Sequence, residues 1–321
     1  MAKTKQERLD AKAEKRYNKT HKKQYKYSAG DIIFYIIDYA FFGIFTISCI
    51  FPFYYLFINT ISDNDLVKRG AIKFIPEGIH FQNYINMVGG NSDLMQAFSV
   101  TVGRTILGTV LMVLASAFVG YIVTKQEMWH RKLWYRMLVI TMYFNAGLVP
   151  AYMNMSMLGL TNSFAAYIIP GIVAPYNIIL VKTYIESIPA ELEESAKMDG
   201  AGYMKVFKNI IMPLCKPILA TIAIFGAVGH WNSFTDSLMY MQSTPELHTL
   251  QHKLYTWLNK TSNLGAIANT GSGAGALVEA ASNSQINKYT ISMITIIPIL
   301  FVYPFMQRYF EKGIMLGAVK G

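Results

Sequence analysis

Six runs with almost no charge dominate this 321-residue sequence: 32–58, 97–123, 133–157, 164–181, 218–235 and 289–306. Each exceeds or approaches the roughly 20 apolar residues that a helix needs to cross a bilayer. Inside them the formal charges are Asp38, Arg104 and Arg136, and His230 is a further titratable group. At 53% hydrophobic and 15% charged residues, with 21 Tyr and 19 Phe, the chain is too apolar for a typical soluble enzyme of its size. The expectation is an all-α polytopic membrane protein with six spans.

A formal net charge of +10 invites a nucleic-acid reading, but its placement makes it a topology signal. Ten Lys or Arg crowd residues 1–30, against Glu7, Asp10 and Glu14 and almost no large aliphatics, so this arm cannot build a core. It reads as a cytoplasmic anchor that sets orientation, with anionic headgroups or RNA as the alternative ligands. The apolar run behind it is far longer than the roughly 7 to 15 residues of a signal-peptide core. The arm, 125–136, 182–216 and 308–321 hold 22 Lys or Arg, whereas 61–94, 151–162 and 237–288 hold 6. The positive-inside rule therefore puts both termini and the connection around Glu194 in the cytoplasm. Cys49 and Cys215 sit in or beside apolar runs and read as small apolar residues, neither a disulfide framework nor a metal site.

The connection 188–217 is the long polar segment flanked by spans. Leu192, Ala196, Met204, Phe207, Ile211 and Leu214 recur every three to four residues, with a break at Asp199-Gly200-Ala201-Gly202. That pattern predicts helix, turn, helix with one apolar stripe, an element that lies against something. Taken alone it also fits an interfacial amphipathic hairpin.

Glu194-Ser195-Ala196, Asp199-Gly200-Ala201, Ile210, Pro213 and Pro217 resemble the EAA loop of membrane subunits of ABC importers; Ser195 stands where Ala is usual. The resemblance implies a type I importer transmembrane fold and a cytoplasmic coupling helix inserted into a cleft of an ATP-hydrolysing subunit. Gly200 suits the sharp turn because it reaches backbone conformations that a side chain forbids. Residues 51–55, 70–76 and 81–84 are similar to the start of maltose-type carbohydrate importer permeases. Residues 144–152 and 158–163, with the tail 307–321, resemble the branch handling complex oligosaccharides and lipoprotein-type relatives. The likeness covers essentially 31–321 as one permease domain, leaving out the arm and details of the outer connection 237–288. The Gly-Ser-Gly-Ala-Gly within 264–283 lacks the Gly-Lys-Ser/Thr of a phosphate loop and reads as a pliable outer segment.

The sequence shows no ATP-binding loop, zinc spacing, nucleophile elbow or in-membrane carboxylate pair, so no catalytic residue and no metal is expected of this chain. The resemblance implies ATP and Mg on two copies of a partner ATPase, a second homologous permease, and an extracellular solute-binding protein, in a bacterial plasma membrane with its lipid and no nucleic acid. It assigns Glu194 a salt bridge to the ATPase, Asp199, Gly200 and Ala201 the turn, and Phe207 and Ile211 apolar contacts, with Ser195, Ala196 and Pro213 completing the motif. The competing reading of Glu194 is a solvated helix charge paired with Lys197 or neighbours.

For the substrate path, Asn145, Tyr152, Asn177, Trp231 and Asn232 are candidates to meet a sugar through ring faces and polar groups. For each the alternative is a helix-to-helix hydrogen bond or a packed ring. Pro170, Gly171 and Pro175 predict a broken fourth span, tolerated where neighbours or a wet cavity satisfy the freed carbonyls. Arg104 lies about 12 Å into the second span at about 1.5 Å per residue. There it either meets a carboxylate, such as a uronate of an acidic oligosaccharide, or snorkels to the outer headgroups. Importers of non-sugar solutes and ion-coupled transporters are rival classes; the latter need coupling carboxylates, and the runs offer only Asp38.

Overall fold

In the computed structural model of the chain, residues 28–89, 92–268, 285–304 and 307 are described. The basic arm, residues 269–284 of the Gly-rich connection and the tail beyond 307 lie outside them. Among the described residues every regular element is helical, the form in which a span pairs its own backbone groups in hydrocarbon.

Packing divides the chain between Tyr54 and Tyr55. The first unit holds most of α1 (Ala29–Ile61), whose exposed Ile32, Ile36, Phe41 and Ile44 mark a helix apolar all round. In the second unit, Ile58 at the end of α1 packs with Val67, Ile72 and Ile286. Then come α2 (Asn64–Lys68), started by the Asp63 carboxylate accepting from the Asp65 and Leu66 N–H groups, and α3 (Gln82–Gly89). The long α4 (Ser92–Thr124) is followed by α5 (Arg131–Tyr143) and α6 (Leu148–Met157). Two 3₁₀ turns, Phe164–Tyr167 and Ile169–Gly171, lead into α7 (Pro175–Ile185).

The chain then forms α8 (Glu191–Met198), α9 (Tyr203–Val206), a π turn (Phe207–Ile211), α10 (Met212–Leu214) and α11 (Lys216–Asn232). Short α12 (Thr235–Tyr240) and α13 (Leu250–Ala268) precede α14 (Gln285–Pro304). Among the described residues three helices are long and apolar enough to cross a membrane, and five if each bent pair is one span. The run 133–157, expected as a single span, is divided into α5 and α6 around Phe144–Gly147, where Gly147 has φ +90°. The fourth run is broken where Pro170 and Pro175 lack N–H groups, with a bend of 42°. Another break, of 78°, separates 203–214 from α11.

The axis of the second unit is α4, along which α7 and α11 both pack. Without a hydrophobic drive between membrane helices, small residues set how closely they approach. At Gly108 an added Cβ would stand 2.4 Å from the Nε2 of His230 on α11. Gly108→Ala is therefore expected to destabilise the chain by about 1–3 kcal/mol, read as a lower thermal midpoint in detergent. Adding His230→Ala should recover most of the loss, and a double variant no better than the single one would show that the two helices are not in contact here.

Candidate functional site

Two assemblies stand along α4, one around Arg104, four residues before the middle of the helix, and one around Tyr121 in its last turn, about 25 Å apart at 1.5 Å per residue.

At the Tyr121 end lies the hairpin of α8 and α9. Three acids, Glu191, Glu193 and Glu194, open α8 and Lys197 stands in its last turn, the arrangement that complements a helix dipole. Its end follows from six residues. The Gly200 N–H bonds the Lys197 carbonyl at 3.0 Å and the Ala201 N–H the Ala196 carbonyl at 2.9 Å, closing a Schellman motif. Gly200 takes the left-handed residue of that motif at φ +78°, with open space around its Cα, so conformation and not crowding requires glycine. Ala196 and Ala201, the motif's apolar pair, are half-buried against the core of Val181, Val206 and Ile222. The spacing of the motif is thus the spacing of a helix stop. Beyond α9 the Met212 N–H reaches the Phe207 carbonyl five residues back, and exposed Pro213 follows with no N–H to give.

The predicted single stripe is divided. Phe207 lies 5.7 Å from the Phe118 ring and 5.1 Å from Tyr121, and Ile211 is buried in this chain's own core. Ile211, 3% exposed, thus shares a cluster with Ala117 and Tyr121 of α4. Leu192, Met204 and Leu214 are exposed instead, as is Met198 at 88%, which the periodicity passed over. Glu193, not Glu194, pairs with Lys197 at 3.3 Å and also with Lys125 after α4. Glu194, Ser195 and Asp199 are exposed, and the Glu194 carboxylate has no partner among the described residues. Phe118, Tyr121, Tyr203, Met204 and Phe207 line a cleft of about 410 Å³ between α4 and the hairpin.

Nearer the middle of α4, Arg104 is 1% exposed. Its Nη1 and Nη2 donate to Asp236 Oδ1 and Oδ2 at 3.2 and 2.5 Å, and Nη1 also reaches the Ser233 carbonyl at 3.3 Å. The guanidinium carbon stands 4.5 Å from the Tyr167 ring centroid. Neither snorkelling nor an open uronate contact describes this side chain, because a carboxylate of the same chain already neutralises it. Asp236 also accepts from the Ser233 hydroxyl and the Ser237 N–H, each at 2.9 Å. Asp236 is the first acid after Asp199; a buried cation in search of a counter-charge was the available signal for it.

The remaining path candidates separate by exposure. Asn177 is buried with its amide 3.1 Å from Met112 Sδ, and the Trp231 indole donates to the Thr295 carbonyl at 3.2 Å, so both are packed between helices. Asn145 accepts from the Gly147 N–H at 2.9 Å in the α5–α6 connection. Tyr152 stacks on Tyr240 with centroids 6.2 Å apart, and exposed Asn232 accepts from Gln251 at 3.2 Å. These three remain where a solute could reach them. Among the described residues no cluster of three or more His, Cys, Asp or Glu could hold a metal.

The described residues make a helical bundle with interrupted spans, the transmembrane fold of type I importers, in a multi-pass membrane protein. Residues 24–316 match the family described as binding-protein-dependent transport system inner membrane component, and the chain belongs to it. Protein LplC of Bacillus subtilis is 30% identical over 85% of this chain and 90% of its own length. A B. subtilis permease of a polygalacturonan/rhamnogalacturonan transport system, YtcP, is 29% identical over 90% of this chain and 99% of its own. A chain in a crystal structure of a bacterial ABC transporter importing the acidic polysaccharide alginate superposes with TM-score 0.78 at 29% identity, covering 88% of this chain and 99% of that one.

Asp236→Asn should leave the buried guanidinium unpaired and cost about 3–5 kcal/mol, seen as lost folded protein or a lowered thermal midpoint. The pair replacement Arg104→Met with Asp236→Leu should restore most of it; an unchanged midpoint for Asp236→Asn alone would remove the pair from the fold's supports. A second consequence concerns His252 at the start of α13, whose Nδ1 lies 2.9 Å from the Ser237 hydroxyl. Burial first, then the nearby His248 and Lys253, push its pKa from 6.5 down to about 4. The unfolded chain takes this proton first, so stability should be level above pH 6.5 and fall as pH drops toward 4. Thermal midpoints across that window should fall less in His252→Gln than in the native chain.

Proposed function

We propose that this chain forms half of the translocation path of an ATP-driven importer for oligosaccharides, paired with a homologous permease above two ATPase subunits. The observation that carries the reading is the hairpin: α8 stopped by the Gly200 turn and braced on α4 through Phe207 and Ile211, with an unpaired Glu194 and exposed Leu192, Met198 and Met204. A lever needs a fixed angle and a free face, and it has both. The 22-to-6 distribution of Lys and Arg supports placing this face and both termini in the cytoplasm, where the ATPases, carrying ATP and Mg, would grip it. Their closure would pull α8, and α4 would carry the motion to Arg104, opening the path to a sugar brought by an extracellular binding protein.

An acidic oligosaccharide is the preferred cargo, supported by the relative named for polygalacturonan and rhamnogalacturonan and the structure concerned with alginate. Arg104 gives no support to that preference, being occupied by Asp236. Nothing in the spans favours ion coupling, and the chain itself would carry out no covalent chemistry. Ligand binding to the copurified binding protein, uronate-bearing against neutral oligosaccharides, tests the cargo.

For the coupling role, Glu194→Ala and Gly200→Ala are expected to insert and copurify with the ATPase while uptake falls tenfold or more and ATP hydrolysis continues. The left-handed cost of Gly200→Ala, about 1–2 kcal/mol, is small enough for the fold to survive. Wild-type uptake by both variants would remove the hairpin as the coupling element.

A further inference from the structure

The segment joining α4 to α5, with the first turns of α5, carries cations that the fold leaves unneutralised. On the same side of the chain Lys125 and Lys197 both face Glu193, and Lys182 pairs with Glu186 at 2.7 Å. Arg131, Lys132 and Arg136 face no carboxylate among the described residues. Arg131 is partly fixed, since its Nη1 donates to the Thr124 carbonyl at 3.1 Å. Lys132 and Arg136, four residues apart on one helix, are neighbours that repel. Together with Gln126 and His130 these three line a cleft of about 570 Å³ that no acid enters. Beside it Trp129, whose ring stands 4.2 Å from that of His130, is 72% exposed. Indole rings of this kind sit at headgroup level, where an apolar body meets a wet edge.

We infer that this cleft binds the phosphate headgroup of an anionic phospholipid in the cytoplasmic leaflet. The inference rests on the orientation proposed above. Three cations without a carboxylate in reach would attract an anion, and exposed Leu133 and Met137 continue the surface into one suited to acyl chains. A soluble anion would use the charges and leave Trp129 and the aliphatics in water; a lipid uses both. Basic clefts beside membrane helices on the cytoplasmic side have the chemistry for such headgroups. The consequence reaches the hairpin, because the same segment holds Lys125, paired with Glu193, and Glu127, 3.9 Å from Lys197. An occupied cleft would steady the support on which α8 rests.

The test uses the purified whole importer, titrated with phosphatidylglycerol or phosphatidylcholine and followed by native mass spectrometry. Phosphatidylglycerol adducts are expected on the wild type and should weaken roughly fivefold for each cation removed in Arg131→Gln, Lys132→Gln and Arg136→Gln. The charge-keeping pair Arg131→Lys with Arg136→Lys should retain them, as should a chain lacking residues 1–26, whose basic arm is the competing lipid ligand. Millimolar inorganic phosphate should not displace the lipid. Undiminished binding by the triple Gln variant, loss on deleting the arm alone, or displacement by phosphate would each overturn the inference. Labelling a Lys132→Cys variant in intact cells separates the two levels. Reaction with an impermeant reagent from outside would sink the orientation, whereas a protected cysteine with no cleft-dependent lipid would sink only the lipid site.

Discussion

A guanidinium buried among membrane helices is tolerable only beside a carboxylate, and the contact between Arg104 and Asp236 is where the second unit answers that requirement. It joins α4 to the short α12, 132 residues on. The chain breaks α11 at Ser233 and turns, and the Ser233 hydroxyl and Ser237 N–H donate to Asp236 Oδ1, the oxygen that also accepts from Arg104 Nη1. Ser237 in turn binds His252, and the Thr101 hydroxyl on α4 accepts from the Leu250 N–H at 2.8 Å, so α13 is fastened to the same patch. Such pairs contribute little net stability against an apolar substitute, but losing one partner is costly, which makes the contact a strong determinant of which segments meet.

The last turns of α4 work by opposite means. There the hairpin is held by rings and aliphatics: Phe207 between Phe118 and Tyr121, with Val206, Ile211 and Cys215 in the core beneath. Charge is kept to the rim, where Lys125, Glu193 and Lys197 share one network. Polar pinning near the middle of α4 and apolar packing at its last turns fix the helix at two points. Local rigidity of this kind suits transmission, because packed interfaces shift between discrete arrangements more readily than they deform.

Glycine does two different jobs in this frame. At Gly108 it is absent volume, letting the His230 ring approach the α4 backbone. At Gly200 it is absent restriction, since nothing crowds its Cα and only the positive φ excludes other residues. The first acts between elements and the second within a single turn.

That difference also divides what could be read in advance. The spans, their orientation signal and the helix-turn-helix at 188–217 follow from hydropathy, charge placement and six-residue hydrogen-bond geometry, all properties of contiguous chain. The helix stop at Ala196, Gly200 and Ala201 was legible because every bond in it is local. The partner of Arg104, the inward turn of Ile211, the exposure of Met198 and the division of 133–157 were not, because each depends on which distant segment lies alongside. Periodicity says that a residue belongs to an apolar face; it does not say whether that face meets the chain itself or something else. The sequence alone therefore determined a polytopic helical chain with a sharply turned polar hairpin, since solvent preference and local backbone rules suffice for that. Only the tertiary structure decided that the buried arginine is satisfied internally and that the hairpin's free face is Leu192, Met198 and Met204, because long-range packing assigns each side chain its neighbour.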